Sequence, residues 1–166
     1  PTLRLSPMAR ARGSAWAHLP LLVYGNITTW GPQAHNFVLQ TRAAIFAMAE
    51  HHLLQSDIAQ LQPVLQTLGW AAFLSPAKRK DAGTSGGTGF LVRHHLADSF
   101  DSDTLDVCHG PAWTVAPWRL HSTLIHLAVV YLDTSPVQPS PGNLKLLSAL
   151  GIELARRAAP FILMGD

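Results

Sequence analysis

Hydrophobic runs of strand length, each closed by polar or turn-forming residues, divide this chain. Leu21, Leu22, Val23 and Tyr24 run into Gly25 and Asn26, which predicts a buried strand over residues 21–24. Residues 28–32 predict a turn and 33–41 a short helix; Ile45 to Ala49 predicts a second buried strand. Ser56, followed by Asp57, is a candidate N-cap for a helix carrying Ile58, Leu61, Leu65 and Leu68 at helical spacing, with Gly69 as its C-cap. Pro63 falls inside that helix and is expected to kink or shorten it, since an interior proline costs about 3 kcal/mol. Residues 70–74 and 90–93 read as strands joined by a polar, glycine-rich hairpin connection, and residues 98–106, with four aspartates, as a loop. Residues 113–115 and 124–132 read as strands, the second enriched by Val129 and Val130. A proline-rich linker over 135–142 precedes a helix capped by Asn143. It is expected to bury Leu147, Leu150 and Leu154, carry Arg156 and Arg157 in its last turn and end before Pro160. Residues 161–164 form the last predicted strand, and no internal repeat is present.

Strands interleaved with a few helices make the expected class α+β, or mixed α/β: a two-sheet β-sandwich flanked by helices. Length and composition agree, because 166 residues at 48% hydrophobic and 13% charged fit one globular unit. The longest apolar run, near residues 124–132, contains His126 and is far short of the roughly 20 residues of a membrane span. Cys108 is the single cysteine, so no internal disulfide forms, and an intracellular setting, nuclear or cytoplasmic, is favoured. A net charge of +2 permits a nucleic-acid partner without requiring one. Both ends read as cut: the sequence starts at Pro1 and stops at Asp166 directly behind an apolar strand. Residues 1–20 hold Arg4, Arg10 and Arg12 and no acid; an unstructured leader is expected ahead of a transit peptide, with the domain occupying residues 21–166.

Candidate chemistry gathers at the ends of the apolar runs. The first 49 residues contain no Asp or Glu, and the first acid, Glu50, closes the strand ending at Ala49. Asn26 closes the first strand and Asp166 the last. A carboxylate beside a core strand is costly unless it is paired or binds a cation. If these strands are neighbours pointing one way, their oxygens converge, and oxygen ligands suit Mg²⁺ or Mn²⁺. The competing reading is that strands stop where polar residues begin.

The order Gly25-Asn26, Ala49-Glu50, Val130-Tyr131 and Met164-Gly165-Asp166 resembles the endonuclease/exonuclease/phosphatase superfamily. Gly86-Gly87 before Phe90-Leu91-Val92-Arg93 resembles its Gly-Gly strand, and residues 143–150 its helix before the Gly-Asp-x-Asn motif. The resemblance implies Mg²⁺-dependent phosphodiester hydrolysis, with Glu50 as metal ligand, Asp166 as the base for the attacking water, and Asn26 and Tyr131 as positioning groups at the phosphate. It implies a nucleic-acid partner, DNA ahead of RNA, and an endonuclease of retrotransposon type before other subclasses. Departures are plain: Ala49 stands where the family has Gln, Asp133 where it has Pro, and the Asn of Gly-Asp-x-Asn would fall beyond Asp166. The later Asp and the Asp-His pair have no counterpart in the sequence, so this chain alone is expected to be inactive. A catalytically dead binding module, or a phosphatase or phospholipid phosphodiesterase of the same superfamily, is the alternative.

Other motifs are discounted. Residues 83–89 are rich in glycine but lack the Gly-Lys-Ser/Thr ending of a phosphate loop, and a strand follows. Lys78, Arg79 and Lys80 read as a solvated loop before a phosphate contact. The pairs His51-His52 and His94-His95 lack the helical spacing of a zinc chelate. Asp101 and Asp103 lack the glycine and terminal Glu of a calcium loop.

Overall fold

The computed structural model describes residues 19–81, 83–100, 107–110, 112–132 and 140–165. The expectations for Asp133, Asp166, most of the leader, residues 101–106 and most of the linker lie outside the described residues.

In chain order, β1 (Leu22–Asn26) leads through α1 (Pro32–Gln40) to β2 (Ile45–Ala49), and α2 (Gln55–Thr67) leads to β3 (Trp70–Ser75). A small hairpin of β4 (Lys78–Lys80) and β5 (Gly83–Ser85) precedes β6 (Thr88–Arg93), the short α3 (His94–Ala97) and a 3-10 turn over Asp98–Phe100. Then come β7 (Cys108–His109), β8 (Trp113–Leu120), β9 (Thr123–Val130), α4 (Pro141–Arg157) and β10 (Phe161–Gly165). The strands form two four-stranded sheets, ordered β1-β2-β6-β3 and β10-β9-β8-β7. The β1/β2 and β9/β10 pairs are parallel; the other pairs are antiparallel.

Because successive side chains on a strand point to opposite faces, a strand apolar at every position must be covered on both. Ile45, Ala47 and Ala49 of β2, with Phe90 and Val92, meet Ala116, Trp118, Leu127 and Val129 between the sheets. The alternate residues Phe46, Met48 and Leu91 face outward and pack with Val38 of α1 and Ile58 and Leu65 of α2. Trp113, Val115, Ala128 and Val130 pack with Leu150 and Leu154 of α4 on the far side. The result is helices, sheet, sheet and helix in layers, the mixed α/β sandwich expected from the sequence.

Several local expectations need correction. Leu54, not Ser56, is the N-cap of α2; it has no side-chain oxygen, and its N–H instead donates to Asp57 Oδ2 at 2.8 Å. Pro63 does not shorten α2, which continues to Thr67. The Ala59 carbonyl that the proline leaves without a donor belongs to an exposed residue, within reach of water. Ser140 caps α4, with Pro141 starting it, and Asn143 lies buried inside the helix. Leu147 is 39% exposed, while Asn143, Leu150, Leu154 and Arg157 make the buried stripe. β8 runs well past Val115 to Leu120, through Pro117. The N–H of His126, opposite Pro117, bonds to the Pro160 carbonyl on the β10 side. This register needs no donor from Pro117 toward β9, and β7 ends before reaching that level. The stretch expected as loop starts with the 3-10 turn, whose Phe100 is buried and stacks on Phe73 and Trp118 at ring-centre distances of 5.9 and 6.3 Å. α3 and β7 were not foreseen.

Candidate functional site

Parallel pairing sets Asn26 opposite Ala49, so Asn26 and Glu50 emerge side by side where β1 and β2 end. The Ile27 N–H continues the ladder to the Ala49 carbonyl at 3.1 Å. In the other sheet Gly165 lies opposite Val130, which places Tyr131 directly beyond the paired ends of β9 and β10. A Cβ at position 165 would come within 2.5 Å of Val130, so only glycine fits there.

These two sets of strand ends share one end of the sandwich. Thr88 pairs with Ala49, Thr114 pairs with Val129, and the two buried hydroxyls meet between the sheets at 2.9 Å. Gly86 bridges the walls: its carbonyl accepts from the His52 N–H at 3.0 Å, and a Cβ on it would lie 3.8 Å from the Tyr131 ring. Asn26, Glu50 and Tyr131 are thus brought to one end; Asp166 is not among the described residues.

Glu50 has φ +56° and His52 φ +59°, a left-handed backbone unusual for residues with side chains. Such strain persists where surrounding structure over-determines it. Here the Trp30 N–H donates to the His51 carbonyl at 2.9 Å, the Leu53 N–H to His51 Nδ1 at 3.1 Å, and the Ala77 N–H to the Leu53 carbonyl at 2.8 Å. The His51 ring is fully buried against Gly87, where φ is +90° and a Cβ would collide with the ring. Desolvation pushes the His51 pKa down to about 4, and the neighbouring His52 adds to the shift. The Thr88 and Ser75 carbonyls oppose it in part, but neither makes a well-aligned bond to Nε2. His51 and Gly87 are the residues that sequence reasoning missed as part of this site: contact between a ring and a distant glycine leaves no periodic trace.

Asn26 Oδ1 accepts from the Thr28 N–H at 3.0 Å, which fixes the amide. Glu50 is half-buried, and its carboxylate has no hydrogen bond or ion pair to another described residue. An oxygen pair of this kind fits a hard divalent cation, which takes one or two carboxylates and completes its shell with water and phosphate. No cluster of three or more His, Cys, Asp or Glu side chains occurs among the described residues. Residues 83–89 form β5, the Gly86-Gly87 turn and the start of β6, so a strand follows the glycines; Lys78, Arg79 and Lys80 are exposed on β4.

The layers and strand order recur in solved structures of nucleases and phosphatases. No family model matches the chain, and no curated protein matches it. Among solved structures, the 3′-5′ exonuclease NExo from Neisseria meningitidis is similar at TM-score 0.62 and 20% identity, over 87% of this chain and 56% of that one. NExo from Neisseria as a 3′ phosphatase bound to a product DNA hairpin gives 0.64 and 19%, over 89% and 57%. The AP endonuclease LMAP from Leishmania major gives 0.58 and 14%, over 87% and 53%. An endonuclease/exonuclease/phosphatase family protein from Leptotrichia buccalis gives 0.55 and 12%, over 87% and 64%. These are likenesses of fold, and the chain spans 53–64% of the length of these four structures.

Proposed function

We propose that the protein is a metal-dependent phosphodiesterase acting on nucleic acid, with Mg²⁺ or Mn²⁺ held by Glu50. The observation carrying this reading is the half-buried Glu50 carboxylate, without a hydrogen bond or ion pair among the described residues and set beside Asn26 by a strained and heavily braced turn in a fold shared with nucleases and phosphatases. A divalent ion there would neutralise charge on the scissile phosphate and its leaving oxygen. Asn26 orients the phosphate or a neighbouring carboxylate. The Tyr131 hydroxyl donates to a non-bridging oxygen. Asp166 takes the proton of the attacking water. DNA is the substrate favoured over RNA.

Because the chain spans 56% of the exonuclease it resembles, its isolated activity is expected to be slight. Groups acting as one catalytic unit fail together when some are missing. The direct test is therefore binding: Mn²⁺ titrated into the chain and followed by electron paramagnetic resonance. Weak binding, reduced further by Glu50→Gln and by Asp166→Asn, is expected. Binding untouched by Glu50→Gln, or tight zinc binding lost on replacing the histidines, would overturn the reading. Nicking of plasmid DNA by a longer protein containing this chain, abolished by Glu50→Gln, would extend it to catalysis.

A further inference from the structure

His109 lies on β7 opposite Thr114, and its Nδ1 is 3.2 Å from Thr114 Oγ1. Thr114 Oγ1 is also 2.9 Å from Thr88 Oγ1 and 3.2 Å from the Thr88 carbonyl. Counting protons orders this cluster. Thr88 is fully buried and its hydroxyl has Thr114 Oγ1 as its one described partner, so Thr88 donates there. Thr114 has one proton, and the carbonyl of Thr88 accepts it. The third contact is then satisfied only if His109 Nδ1 carries a hydrogen and donates to Thr114 Oγ1. In the neutral ring Nε2 is left with a lone pair, and it has no hydrogen-bond partner among the described residues. Enclosure of the Nδ1 edge lowers the pKa of His109, which keeps the ring neutral, while the residue as a whole is exposed.

The register places this acceptor. Thr88 is level with Ala49, directly before Glu50, and Thr114 is level with Val129, two residues before Tyr131. β7 is two strands across from β9, roughly 10 Å at ordinary strand spacing. His109 thus stands at the same end of the sandwich as Glu50 and Tyr131, one nucleotide or so to the side. Gly110 holds it there: its N–H donates to the Trp113 carbonyl at 2.8 Å, and a Cβ would strike the Trp113 indole.

We propose that His109 is a substrate-contacting residue of a flanking subsite, whose Nε2 accepts a hydrogen bond from a sugar hydroxyl of the nucleic-acid strand. Phosphate oxygens only accept, so a lone pair offers them nothing. A hydroxyl donates, whether the 2′-OH of a ribose or the 3′-OH of a strand end. The inference rests on the nucleic-acid reading of the site but not on the metal ligand.

Two measurements on the chain test it. Nitrogen-15 shifts of the imidazole should show His109 as the Nδ1–H tautomer; the Nε2–H tautomer would overturn the proposal. Fluorescence anisotropy in Mg²⁺ should compare single-stranded oligonucleotides of one sequence as DNA with a 3′-OH end, DNA with a 3′-deoxy end, and RNA. One hydrogen bond predicts about a three- to tenfold preference for a hydroxyl-bearing form. A gain from the 3′-OH alone identifies strand ends; a gain only with RNA identifies the ribose. His109→Phe should remove the preference, and His109→Gln, whose amide oxygen still accepts, should restore part of it. A preference that survives His109→Phe, or wild-type chain that shows none or binds no oligonucleotide, sinks the proposal. Wild-type chain that shows no preference while its Glu50-dependent Mn²⁺ binding is intact rejects this inference alone. The reverse pattern rejects the metal reading and leaves His109 in place.

Discussion

His51 is enclosed by Gly87 and its own turn, with a pKa pushed from about 6.5 to about 4 by burial. The unfolded chain takes up a proton near pH 6.5, whereas the folded chain refuses it until about pH 4. The stability conferred by the neutral ring is complete above pH 6.5 and drains away as pH falls between those values. The difference amounts to about 3 kcal/mol. His126 and His109 are shifted in the same direction and add to the trend. Urea midpoints measured from pH 7.5 to 4 should fall, and the fall should be visibly shallower in His51→Asn, which retains an acceptor for the Leu53 N–H without an ionisable ring. An equal slope in both proteins would exclude His51 as its source. At this scale the sequence shows Asn26 and Glu50 at the ends of β1 and β2, because each closes an apolar run, and Tyr131 late in another. The His51–Gly87 contact was not legible there, since it depends on which turn folds over which.

Helix α4 shows what patterning conveys about an element and what it misses. Leu147, Leu150 and Leu154 all satisfy a helical period, but three neighbouring stripes satisfy it too, and only the packing partner selects among them. The sheet selects Leu150, at 2% exposure, and leaves Leu147 at the surface. Leu150→Ala should cost about 2–5 kcal/mol, as buried leucine truncations do. Leu147→Ala should cost under about 1 kcal/mol. Chemical denaturation of the two variants decides it, and equal losses would contradict the observed face. The start of α4 was misplaced because Asn143 is a good cap by type, whereas Ser140 followed by Pro141 is the pair that fits the end geometry. β8 was cut short for a similar reason: a proline argues against a strand unless the neighbouring ladder ends first, and ladder ends are set by tertiary pairing.

At the scale of the whole molecule, the sandwich was readable because fully apolar strands demand cover on both faces. The pairing of β6 between β2 and β3 was not readable, being a matter of topology. β10 stands apart from the other strands of its sheet: Phe161, Ile162 and Leu163 are 52%, 38% and 48% exposed, and β10 is an edge strand among the described residues. An exposed apolar edge invites pairing with other chains. Sedimentation velocity on the chain should show concentration-dependent association, relieved by Leu163→Lys; a monomer throughout the micromolar range would count against an adhesive edge. The hydroxyl contact between Thr88 and Thr114 bears on how the candidate cleft could move. Parting the sheets at that end would leave the Thr88 hydroxyl without its described partner and the Thr114 hydroxyl without the acceptor for its proton, at a cost of about 1–3 kcal/mol each. The cleft is therefore built like a vice with its jaws pinned, and any adjustment to a thicker or thinner substrate falls to the turns around Trp30, His52 and Gly86 rather than to the two sheets.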